Sequence, residues 1–353
     1  MSLQHYKHEK AFHLEGGGIL PSFEIAYHTY GTLNTERSNV IWVCHALTAN
    51  SDVLDWWKGL FGENNLFDPK DYFIVCANNL GSCYGTTGPL SVNEDIGQPW
   101  YAYFPEVTIR DMVNAHEVLR VHLGIEKINT IIGGSQGGQQ VLEWNILQPE
   151  LFENTIVVAT NAKHSAWGIA FNEAQRLAIK ADRTYYANLP DGGSKGLQAA
   201  RAIALLSYRG YETFTGTQTE KDNEKTGDYK ASSYQRHQGQ KLVKRFNAYS
   251  YVILSQAMDS HNVGRNRGSL EKALEQITAR TLVIGIKNDL LFPVSEQWLL
   301  TEQILNAEFA AIDSFYGHDG FLIETEKLTN IIASFLVADI RTNAEILEIK
   351  NMK

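Results

Sequence analysis

The sequence predicts an α/β chain, a mostly parallel sheet with helices on both faces, interrupted by a long helical insertion. Three observations carry this. Six short apolar runs are continuous rather than alternating, as strands covered on both faces are. Helical patterns separate many of them, as the crossovers between parallel strands require. Between residues 160 and 279 the strand rhythm stops and helical stretches take over.

In chain order, the predicted strands are "NVIWVCHAL" (residues 39–47), "YFIVCANN" (72–79), "INTIIGG" (128–134), "NTIVVAT" (154–160), "RTLVIGI" (280–286) and "AEFAAID" (307–313). Between the second and third lies residues 107–125, where Ile109, Met112, Val113, His116, Val118 and Leu119 trace one stripe of a helix. The insertion includes "GIAFNEAQRLAIKADRTYYANL" and "GSLEKALEQI". Within it, residues 216–245 are too polar for core and read as a solvated loop or exposed helix ends. The last stretch, "GFLIETEKLTNIIASFL", reads as a C-terminal helix. The predicted division is a core of residues 1–160 and 277–353, with residues 161–276 forming a helical lid domain.

The 353 residues, 44% hydrophobic and 20% charged, describe a globular chain with a sizeable core. A net charge of −9 argues against nucleic acid or an anionic membrane as the main partner. No window is apolar enough to span a membrane and no secretory leader is evident, so the expected location is the cytoplasm. Cys44, Cys76 and Cys83 have no metal-ligand spacing, and the sequence nominates no metal site. They read as reduced core thiols.

The chemistry gathers around "GGSQG", residues 133–137, which fits G-x-S-x-G between a strand and a helix. Such a turn strains the serine backbone and lifts its hydroxyl above the sheet, with glycines admitting close backbones. A serine hydroxyl needs a base, and the base needs an orienting acid. In sheets that carry this turn the acid follows the serine and the histidine comes last. Asp289 follows one strand and His318 follows another, so Ser135, Asp289 and His318 all fall at carboxyl ends of strands, where ligand sites in open α/β sheets form. Singly, each has a bland reading as a turn or cap residue; the conjunction in the right order favours catalysis. Two backbone N–H groups are needed for the developing oxyanion, and Leu47, in "VCHALTAN" (residues 43–50) where the first predicted strand runs out, and Gln136, after the nucleophile, are nominated. His45 in that loop fits structural support better than base chemistry.

These residues, with "HALTAN", "DWWKGLFG", "LGSCYGTTGPLSVN", "FPEVTIRDMVNAH", "AFNEAQRLAI", "AMDSHNVGRNRGSLEKAL" and "YGHDGFL", resemble the homoserine O-acetyltransferase family of α/β-hydrolase-fold acyltransferases over residues 11–336. The resemblance implies an α/β-hydrolase fold with a helical lid, a ping-pong acyl-serine mechanism in methionine biosynthesis, and L-homoserine and acetyl-CoA as substrates. It implies no permanently bound cofactor, acetyl-CoA serving as co-substrate, and a homodimer built through the lid. By similarity, Arg201 and Tyr208 are candidates for the homoserine carboxylate and Asp319 for its ammonium. Leu291 stands two residues past the triad acid, where succinyl-transferring relatives carry arginine, so acetyl is the expected donor group. Gln136 departs from the usual methionine, which bears on acyl-pocket packing. The alternatives are homoserine O-succinyltransferase, serine O-acyltransferase or an esterase on the same scaffold, and a non-catalytic scaffold protein.

Overall fold

Burial along the apolar runs comes from a sheet covered on both faces. The computed structural model describes residues 2–338; the C-terminal end of the predicted core segment, residues 339–353, lies outside the described residues. The main sheet has eight strands: β1 (Gln4–His8), β2 (Phe23–Tyr30), β3 (Val40–Cys44), β4 (Phe73–Ala77), β5 (Ile128–Gly134), β6 (Phe152–Val158), β7 (Arg280–Ile286) and β8 (Ala307–Ile312). Their spatial order is β1-β2-β4-β3-β5-β6-β7-β8. Pairing is parallel from β4 through β8, and β2 runs antiparallel to both its neighbours. The mostly parallel sheet is therefore as expected.

Strands β1 and β2 are additions to the six predicted. β1 is polar and only half buried because it forms the sheet edge, so its residues carry no continuous apolar run. The first predicted strand also ends early: after Cys44 the chain leaves the sheet, which frees residues 45–47 to form a loop.

Every residue of β3 is buried. One apolar cluster, including Trp42, Val113, Leu142 and Trp144, lies on one face of the sheet. A second, including Ile41, Val43, Trp57, Ile132 and Phe335, lies on the other. Helix α1 (Ile109–His122) starts from a capping box, in which the Thr108 side chain accepts from the Asp111 N–H and the Asp111 carboxylate accepts from the Thr108 N–H. Helix α2 (Gln136–Leu147) packs on α1 and is buried at every position but its last.

Between β6 and β7 the chain forms α3 (Ala166–Lys180), α4 (Ser194–Tyr208), α5 (Tyr211–Gln218), α6 (Lys230–Val243), α7 (Ala248–Asp259) and α8 (Leu270–Leu274). The polar stretch within residues 216–245 is more ordered than its composition suggests. About half of it is α6, a full helix with only Gly239 and Leu242 buried; it packs on α4 rather than on the sheet, so it needs few apolar residues. Beyond β7 come α9 (Val294–Gln303), β8 and α10 (Thr325–Val337). Among the described residues no helix is long and apolar enough to cross a membrane, and Cys44, Cys76 and Cys83 are free thiols, the first two buried.

Candidate active site

Four strand ends supply the site. Ser135 follows β5 with φ 56° and ψ −125°, a conformation that L-residues other than glycine rarely adopt. The strained backbone is held by the surrounding structure. Ser135 N–H donates to Val158 O at 2.9 Å, and Thr160 Oγ1 donates to Ser135 O at 2.8 Å. The glycines are required by close approach: a Cβ on Gly137 would sit 2.1 Å from Cys44 O, and one on Gly133 would sit 2.5 Å from the Gly137 backbone. The tight β5-to-α2 turn thus brings the nucleophile's helix against the end of β3.

Asp289 and His318 meet across 29 residues of chain, His318 Nδ1 lying 2.6 Å from Asp289 Oδ2. Asp289 Oδ1 accepts from the N–H groups of Leu291 at 2.8 Å and Phe292 at 2.9 Å. These bonds fix the carboxylate and direct its other oxygen at the imidazole. Phe292 stacks on the His318 ring at 5.2 Å between centroids. Ser135 and His318 both face one cavity of about 400 Å³. Among the described residues no hydrogen bond joins the Ser135 hydroxyl to the imidazole.

Leu47 lines the same cavity. It is a central residue of a turn closed by Ala49 N–H donating to Ala46 O at 3.0 Å. Gln136 is fully buried at the first position of α2, where an N–H has no intrahelical acceptor. Neither amide has an acceptor among the described residues. His45 stands behind this turn, fully buried: Nδ1–H donates to Ala46 O at 2.9 Å and Nε2 accepts from Asn79 N–H at 3.1 Å. Burial pushes its pKa down to about 4, so the ring is neutral near pH 7. Both nitrogens are engaged in holding two loops together.

Arg201, Tyr208 and Asp319 line the cavity with Ser135. Arg201 and Tyr208 lie on one face of α4, the guanidinium carbon 5.4 Å from the phenol ring centroid. Burial, more than the Asp319 charge, raises the Tyr208 pKa, which keeps the phenol a neutral donor. Leu291 is placed differently from the others. It is not among the residues lining the cavity; its side chain is buried in the apolar core and only its backbone amide serves Asp289.

Comparison with known proteins agrees with this fold. Residues 39–325 match the α/β hydrolase fold family. The homoserine O-acetyltransferase of Cyclobacterium marinum is 51% identical over 327 residues, covering 93% of each chain. The chain belongs to the homoserine O-acetyltransferase family. The crystal structure of homoserine O-acetyltransferase from Bacillus anthracis superposes with a TM-score of 0.88 at 25% identity, covering 97% of this chain and 100% of that one. Esterase E22 shares the fold, with a TM-score of 0.85 at 24% identity over 95% of this chain and 100% of its own.

Five residues of this homoserine O-acetyltransferase family member carry no signal in the sequence motifs. Arg209 donates to Asp319 Oδ2 at 2.9 Å and neutralises it from one side. Lys241 and Arg245, from α6 and the turn after it, line the cavity with Gln238. Their spacing of three and four residues puts them along one edge, a signal present in a segment whose polar composition points to a solvated loop or exposed helix ends. Glu296, in the first turn of α9, accepts from Asn161 Nδ2 at 3.0 Å. Burial, with a smaller contribution from Asp289, pushes its pKa up to about 7. The Gln136 side chain turns away from the acyl site, Nε2 donating to Leu254 O of α7 at 2.9 Å.

Proposed function

We propose that the protein transfers an acetyl group from acetyl-CoA to the γ-hydroxyl of L-homoserine through an acyl-serine at Ser135. The observation that carries this reading is the Asp289–His318 pair facing the same cavity as Ser135, in a chain 51% identical to a homoserine O-acetyltransferase. His318 takes the Ser135 proton as the hydroxyl attacks the thioester carbonyl, and CoA leaves as thiol with that proton. Homoserine then gives its hydroxyl proton to His318 as its oxygen attacks the acyl carbon, and Ser135 recovers the proton as O-acetyl-L-homoserine departs. Asp289 holds the imidazole in the tautomer that leaves Nε2 free to accept. Leu47 and Gln136 N–H groups stabilise both tetrahedral oxyanions, a role suited to their unengaged state.

Arg201 and Tyr208 take the homoserine carboxylate, and Asp319 its ammonium, through the oxygen Arg209 leaves free. Leu291 disfavours a succinyl donor by supplying no cation for its extra carboxylate at that position, its own side chain lying in the apolar core rather than in the cavity wall. Acetyl-CoA comes and goes as a co-substrate, and the cytoplasm is the fitting compartment. Residues 161–276 serve as a lid over a core formed by residues 1–160 and 277–353. Their helices shield the acyl-serine from water, which would otherwise turn transfer into hydrolysis. Apolar side chains exposed on these helices, Trp167, Leu177, Leu206 and Tyr211, favour a homodimer through the lid.

The test supplies acetyl-CoA with homoserine, with serine, and with no acceptor, and follows thiol release and the mass of the Ser135 peptide. Acetylated Ser135 and homoserine-dependent release are expected. Release independent of any amino acid, or faster with serine or with succinyl-CoA, would sink the assignment in favour of an esterase, a serine acyltransferase or a succinyltransferase. A serine that never gains acetyl mass points to a scaffold.

A further inference from the structure

Both proposed oxyanion donors are tied to the helices between β6 and β7, by different bonds. The Gln136 side chain binds Leu254 O, as described. On the opposite side, Arg245 Nη1 donates to Thr48 O and to Tyr84 Oη, the latter at 2.6 Å. Thr48 is the other central residue of the Ala46–Ala49 turn that presents Leu47. The short turn has little support of its own beyond its single closing bond and His45 beneath it. Arg245 is therefore a bracket between the insertion, the turn and the loop carrying Tyr84, with Cys83 Sγ also 3.7 Å from Arg245 O.

We propose that Arg245 is a positioning residue for acyl transfer: by gripping Thr48 O from the insertion, it aims the Leu47 amide at the oxyanion. This rests on Leu47 and Gln136 being the oxyanion donors. The guanidinium suits the task because its rigid plane fixes the directions of the Nη1 bonds to Thr48 O and Tyr84 Oη while Nη2 lies 3.5 Å from Thr48 Oγ1, an arrangement a shorter-reaching, freely rotating ammonium does not hold. Arg245 also lines the cavity, so a competing role is to meet a phosphate of CoA. The two roles separate on a substrate that has no phosphate.

The experiment measures the burst of p-nitrophenol from p-nitrophenyl acetate, and acetyl-CoA kinetics, for wild type, Arg245→Ala, Arg245→Lys and Tyr84→Phe. The expected result is a burst rate about tenfold to a hundredfold lower in Arg245→Ala, below the full loss of an oxyanion donor. Arg245→Lys is expected to remain impaired, Tyr84→Phe to lose less, and added guanidinium ion to restore part of the Arg245→Ala rate. With acetyl-CoA, kcat falls more than KM rises. A wild-type burst rate in Arg245→Ala overturns the inference. So does a defect confined to the KM for acetyl-CoA and repaired by lysine, which assigns Arg245 to a phosphate. Should Arg245→Ala fail to fold, Arg245→Lys decides by the same rates. If wild type itself gives no burst and no acetylated Ser135, the acyl-serine reading has failed first, an outcome distinct from a wild-type burst with an unaffected variant.

Discussion

Replacing Asp289 with asparagine tests the tautomer assignment on which the proton transfers depend. Asp289 Oδ1 holds the amides of Leu291 and Phe292 at 2.8 and 2.9 Å, and Oδ2 lies 2.6 Å from His318 Nδ1. Asparagine has nearly the same shape but only one accepting oxygen. If that oxygen keeps the two amides, the NH2 group points at His318 Nδ1 and makes it an acceptor. The ring proton then moves to Nε2, the nitrogen that has to accept from Ser135. The reverse orientation aims the NH2 at two backbone donors and leaves both unpaired, at about 1–3 kcal/mol each. The first orientation therefore wins by roughly 2–6 kcal/mol, and the wrong tautomer dominates. In a comparable triad that change costs about 10⁴-fold in kcat, or about 5 kcal/mol of transition-state stabilisation. Thiol release from acetyl-CoA with saturating homoserine reads the rate, and a thermal melt checks that the variant is folded. A folded variant within tenfold of wild type would refute the tautomer argument.

Ser135→Ala is expected to abolish turnover while leaving the melting temperature close to wild type; residual homoserine acetylation above background would show another nucleophile. Arg201→Ala should raise the KM for homoserine about tenfold to a hundredfold, the worth of a hydrogen bond between charged groups, with kcat changed less; an unchanged homoserine KM removes Arg201 from the acceptor site. Acid should destabilise the protein below about pH 6.5, the ordinary histidine value. Burial holds His45 and His164 down to about 4, and His116 and His261 down to about 3. Over that range the unfolded chain binds protons these rings refuse, so stability is complete above the unfolded value and falls as pH drops toward the folded ones. Glu296, pushed up to about 7, opposes this as a single group between its ordinary value of 4.5 and 7. A melting temperature flat from pH 7 to about 5 would contradict the net direction.

What the sequence made legible follows from how each residue is placed. Ser135, Asp289 and His318 sit just past strands whose apolar runs are continuous, so local pattern alone located them at one end of the sheet. The glycines around Ser135 were equally readable, because steric exclusion acts between neighbours in chain and fold alike. Strand β1 was not, since a half-exposed edge strand carries polar residues and no run. Arg209 was invisible for a different reason. Its partner Asp319 lies 110 residues away, and only the packing of α4 beside the His318 loop brings the charges together. Leu291 was legible as a position but not as a place: its spacing from Asp289 is read directly from the chain, whereas its burial away from the cavity depends on the apolar cluster around it.

The same distinction separates the chemistry from its selectivity. Every group proposed to move a proton or hold the oxyanion comes from a loop at the end of β3, β5, β7 or β8, and these loops are short, so the sheet holds them to one geometry. Arg201, Tyr208, Lys241 and Arg245 come instead from α4, α6 and the turn after α6, packed above that edge. The insertion touches the sheet's loops through polar bonds that include Gln136 to Leu254, Arg245 to Thr48, Arg209 to Asp319, Thr213 to Phe315 and Trp167 to Leu290. A change in helix packing can therefore alter which acceptor is bound while leaving Ser135, Asp289 and His318 where they are, except where one of those bonds transmits it.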